Sequence, residues 1–71
     1  MPKEVRAEMV ANVWKVVVGP GDVVADGDTL VILESMKMEI PVLAEGSGTV
    51  AEVLVAEGDV VQEGDVIAVI G

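Results

Sequence analysis

Three lysines occur in the chain, Lys3, Lys15 and Lys37, and only Lys37 stands between two methionines. Its setting is Leu33-Glu34-Ser35-Met36-Lys37-Met38-Glu39-Ile40-Pro41. Two thioethers beside a charged amine make a poor solvated turn and an odd core. An amine carried outward on the flexible lysine stem suits covalent attachment of a cofactor. The plain alternatives are a solvated lysine and, for Met36 and Met38, adaptable packing. Other candidates for chemistry are weaker. Histidine and cysteine are absent, which removes the commonest general base and the thiolate nucleophile. Ser35, Ser47, Thr29 and Thr49 have no activating partner. Asp22, Asp26 and Asp28, with Asp59, Glu63 and Asp65, lack the ligand spacing and closing glutamate of an EF-hand loop. They read as turn residues, and no metal is expected. The chain is expected to be a non-catalytic partner of enzymes.

The elements that must hold Lys37 emerge from an internal repeat. Sliding the sequence by 37 positions aligns residues 5–34 with 42–71 without a gap, and twelve of the thirty pairs are identical. They include Ala7/Ala44, Val13/Val50, Gly21/Gly58, Asp22/Asp59, Gly27/Gly64 and Asp28/Asp65. The segment left over, 35–41, contains Lys37. Each copy reads as short apolar runs broken by Gly-Asp turns. Strands are expected near 5–10, 13–18, 23–24 and 29–34, then 38–43, 49–55, 60–61 and 66–70. The three-then-two spacing of Val13, Val16 and Val18, repeated in Val50, Val53 and Val55, predicts a bulge or a face switch. Pairing of 29–34 with 38–43 would put Met36-Lys37 at a hairpin tip, where Asn-Gly is the usual choice. Such rule-breaking pairs are enriched at functional positions.

Composition agrees with a β protein. Seventeen valines in 71 residues favour strands, because β-branching restricts χ1. The expected fold is all-β, a flattened barrel sandwich of two four-stranded sheets with a quasi-two-fold repeat. Neither copy could bury its apolar face alone, so residues 1–71 are expected to form one domain. A net charge of −9 argues against nucleic acid and anionic membrane as partners. There is no secretory h-region and no apolar run of spanning length, so a cytoplasmic monomer is expected.

Glu34-Ser35-Met36-Lys37-Met38 resembles the Met-Lys-Met attachment motif of biotinyl domains. Gly48-Thr49-Val50 and the two Gly-Asp-x-Val stretches, Gly21 to Val24 and Gly58 to Val61, extend the resemblance to the biotinyl/lipoyl carrier family from about Val5 to Ile70. The chain looks most like the small stand-alone biotinylated proteins of actinobacteria and is similar to biotin carboxyl carrier protein. The resemblance implies that a biotin protein ligase joins biotin to Lys37 through an acyl-adenylate. Met36 and Met38 flank the motif, and Glu34 and Ser35 become candidates for ligase recognition. It also implies delivery of carboxybiotin from a biotin carboxylase to a carboxyltransferase of acyl-CoA carboxylase type. Lysine plus the valeryl chain would reach roughly 14 Å. Lipoyl domains usually carry Asp-Lys-Ala here, so a lipoyl carrier is the first alternative, and an unmodified interaction module the second. The sequence departs from the family at Ser35, often alanine, and at Glu8-Met9-Val10-Ala11, often Pro-Met-Pro-Gly. The short connection from Val18 to Val23 has no room for the protruding thumb of some carriers.

Overall fold

Four Gly-Asp turns organise the fold. In Gly19–Asp22, Ala25–Asp28, Ala56–Asp59 and Gln62–Asp65 the aspartate N–H donates to the carbonyl three residues back. The aspartate Oδ2 in turn accepts from the N–H of that same residue, at 2.8–2.9 Å. Glycine precedes each aspartate because the backbone there is left-handed, as at Gly21 (φ 93°) and Gly58 (φ 94°). The sequence reading of these acids as turn residues holds.

The computed structural model describes residues 2–71. Eight strands follow in order: β1 (Lys3–Arg6), β2 (Ala11–Val16), β3 (Val23–Val24), β4 (Thr29–Ser35), β5 (Met38–Leu43), β6 (Gly48–Val53), β7 (Val60–Val61) and β8 (Val66–Ile70). They form two four-stranded sheets, ordered β1-β8-β6-β3 and β5-β4-β2-β7, with antiparallel pairing throughout. Replacing each strand by its repeat mate converts one order into the other. Each sheet therefore takes two strands from each copy.

The identical pairs of the repeat stitch the copies together. Gly21 N–H donates to Val50 O (2.7 Å) and Val50 N–H to Asp22 O (2.8 Å). The mates repeat this as Gly58 to Val13 and Val13 to Asp59. Gly27, Asp28 and Ala44 make the same exchange, mirrored by Gly64, Asp65 and Ala7. The copies also share their bulges. Val13 pairs with Leu33 and Lys15 with Ile32, which skips Trp14; Val50 pairs with Ile70 and Glu52 with Val69, which skips Ala51. The valine spacing had located both.

Two apolar clusters fill the interior, one holding Val13, Leu33 and Ile67, the other their mates Val50, Ile70 and Leu30. Among the described residues no polar or charged side chain is buried, so no desolvated polar group burdens this small core. Among those residues no helix is long and apolar enough to cross a membrane.

Strand limits in the first copy needed correcting. β1 ends at Arg6 and β2 covers Ala11–Val16, where the sequence had placed strands at 5–10 and 13–18. Met9 and Val10 read as strand because they are apolar, yet both are exposed, Met9 in a bend with Glu8 and Val10 just after it. Their repeat mates Gly46-Ser47 were the signal for a turn.

Candidate functional site

β4 lies inside its sheet, flanked by β5 and β2, and is fixed by the fully buried Val31 and the buried Leu33. From that anchor it pairs with β5 continuously through Ile32–Pro41, Leu33–Ile40 and Glu34–Glu39 to Ser35–Met38. Two residues remain to reverse the chain. Met36 has φ 52° and Lys37 φ 66°, the only non-glycine residues with positive φ among those described. A two-residue hairpin turn of type I′ requires that conformation. For side chains bearing a Cβ it costs roughly 1–2 kcal/mol per residue. The tip is therefore held by the sheet and against local preference.

That backbone throws both side chains into solvent. Met36 is 93% exposed and Met38 is 65% exposed. Lys37 is exposed, and its Nζ has no hydrogen bond or ion pair among the described residues. Lys3, by contrast, donates to Glu45 O at 3.0 Å, and Lys15 lies within β2 opposite Ile32. Glu34 and Glu39 sit directly opposite one another beside the tip, a like-charge pairing that opposes the hairpin. Glu34 and Ser35 are half-buried. The structure thus gathers all five residues singled out in sequence, Glu34 to Met38, on one hairpin end.

The repeat also places this end within the whole molecule. The Leu33–Ile40 pair of the hairpin maps onto Ile70–Lys3, which pairs β8 with β1. Lys37 and the two chain ends consequently occupy equivalent places in opposite halves. Between the free edges of β1 and β5 runs a cleft of about 580 Å³, lined near the hairpin by Leu33, Ile40, Pro41, Glu8 and Met9. Lys37 does not line it. Trp14 is 48% exposed on its bulge. The bulge leaves that residue outside the ladder, and it faces away from the core as the neighbour of the buried Val13.

A family model described as biotin-requiring enzyme, the biotin/lipoyl family, matches residues 2–70. The chain belongs to the biotin/lipoyl family. A biotinylated protein TB7.3 homolog of Mycolicibacterium smegmatis is 68% identical over 44 residues, covering 62% of each chain. The crystal structure of Kluyveromyces lactis urea carboxylase superposes with a TM-score of 0.94 at 39% identity, covering all of this chain and 6% of the other. A single-chain, multi-domain long-chain acyl-CoA carboxylase gives a TM-score of 0.89 at 34% identity, over 96% of this chain and 7% of that one. The matched region is under two thirds of the mycolicibacterial relative and a small part of each carboxylase. The two-sheet architecture is thus that of a segment within these two carboxylases.

Proposed function

We propose that this chain is a biotin carrier whose Lys37 is acylated by a biotin protein ligase. The observation that supports it most is the left-handed Met36-Lys37 pair, which presents an exposed, unpaired amine at a sheet-anchored tip. A group held by one amide bond to lysine fits that arrangement, since it needs a protruding amine and no enclosing pocket. In the attachment step Nζ of Lys37 attacks the activated carboxyl carbon. A C–N amide bond forms as the bond to adenylate breaks. No carboxylate of the chain hydrogen-bonds Nζ among the described residues, so the proton passes to a base of the ligase. Met36 and Met38 offer apolar contact on either side, with Glu34 and Ser35 as further recognition points.

When bound, biotin supplies a ureido nitrogen able to carry a carboxyl group. The role of residues 1–71, taken as one domain, is to present that group to a biotin carboxylase and then to a carboxyltransferase. Acyl-CoA carboxylase partners are supported by the likeness to the long-chain acyl-CoA carboxylase. The chain itself contributes no catalytic group to either reaction, and a cytoplasmic site suits its ligase and carboxylase partners. Intact-mass measurement after incubation with ligase, biotin and ATP tests the reading. One biotinyl group should be gained by the natural sequence and none by Lys37→Arg, with folding unchanged. Biotinylation of Lys37→Arg would overturn the assignment.

A further inference from the structure

The internal repeat provides a built-in control for the surface around Lys37. Both halves solve the same folding problem, so an exposed residue present in one half and missing from the other is not demanded by the fold. Val60 carries no information by this test, because its mate Val23 is also an exposed valine. Met9 and Val10 do. They are exposed, Val10 at 63%, while the corresponding bend in the other half is built from Gly46-Ser47. Gly46 has φ 93° where Met9 has no positive φ, so the two bends differ in backbone, yet the second joins its strands with neither apolar side chain.

Their position is equally informative. Asn12 pairs with Glu34, so the residues before it run alongside Ser35 towards the Met36-Lys37 tip. Met9 also shares the β1–β5 cleft with Leu33 and Ile40 of the hairpin. An isolated exposed apolar residue is unremarkable, but apolar residues gathered at one end of a chain of charge −9 mark a contact surface. Met9 and Val10 precede Asn12 on the segment that leads towards this end of the hairpin. Glu8, Glu34 and Glu39 lie on the same two segments.

We infer that Met9 and Val10 form, together with Met36 and Met38, the face on which the biotin protein ligase seats. This rests on the reading of Lys37 as the attachment site. The ligase is the fitting occupant because any enzyme that acylates Nζ must cover the tip, and the Met9-Val10 bend continues the surface it covers. The complementary surface is an apolar hollow edged by cationic side chains.

The experiment transplants the second bend into the first, as M9G/V10S, and measures ligase kinetics with purified chain, biotin and ATP. Ser47→Val, which adds an apolar group at the opposite end, is the control. M9G/V10S should lose at least about fivefold in kcat/KM, chiefly through KM. Its thermal midpoint should show that it is folded, and Ser47→Val should react like the natural sequence. If the double variant is unstable, the exposed single change Val10→Ser must by itself lower kcat/KM. Unchanged ligation of the folded variants overturns the inference, as does an equal loss in Ser47→Val. Normal ligation with impaired carboxyl transfer would assign the face to a carboxylase and overturn the ligase as occupant. Failure of the natural sequence to accept biotin would instead overturn the Lys37 reading, and this inference with it.

Discussion

Replacing Met36-Lys37 by Asn-Gly should stabilise the protein while abolishing attachment. Both positions have positive φ, 52° and 66°, in residues that prefer negative values. Releasing two such residues at about 1 kcal/mol each yields about 2 kcal/mol. The greater freedom of glycine in the unfolded chain returns about 0.5–1 kcal/mol of that. Almost no buried area is lost, because Met36 is nearly fully exposed and Lys37 is exposed. A net gain of about 1 kcal/mol should raise Tm by roughly 4–8 °C in a domain of this size. Thermal unfolding followed by circular dichroism, with urea titration as a second measure, reads the change. A lower or unchanged Tm would refute the claim that the tip is strained and would require stabilising contacts of Met36 or Lys37. A rise would show stability forgone for presentation of an amine.

Two further outcomes follow from the core and the charge. Leu30→Ala and Ile67→Ala remove repeat-related, fully buried side chains, one from each cluster. Each should cost about 2–5 kcal/mol in urea unfolding, and a loss below about 1 kcal/mol in either would contradict its place in the core. Biotinylation removes the ammonium of Lys37 and takes the formal charge from −9 to −10. The modified form should elute later from an anion exchanger, and co-elution with the unmodified form would argue against modification of an amine.

The parts of the fold legible in sequence are those with local signatures. Gly21-Asp22 and its mates announce turns, and the matching valine spacing announces the bulges at Trp14 and Ala51. The Met-Lys pair announced an anomalous hairpin, since its side chains contradict the turn they occupy. Strand exchange between sheets left no such mark. Pairing β2 with β7 or β3 with β6 joins residues far apart in sequence, and the two-residue strands β3 and β7 carry no pattern that names a partner. Met9 and Val10 misled because an apolar pair was read as the continuation of a strand.

The pairing of Lys3 with Ile70 opposite the hairpin has a mechanical consequence. Both described ends of the chain leave from the half of the molecule that does not hold Lys37. The body between them is elongated, 32 × 18 × 17 Å. Any tether joined to either end, whether an engineered linker or a neighbouring domain, would therefore pull from behind the lysine. The rigid barrel would then lie in series with the side chain, as the stiff boom of a crane does with its cable. Pivoting at the tether would sweep the tip along an arc about as wide as the molecule is long, with no unfolding and no rearrangement of the sheets. A tether attached beside Lys37 would forfeit that sweep.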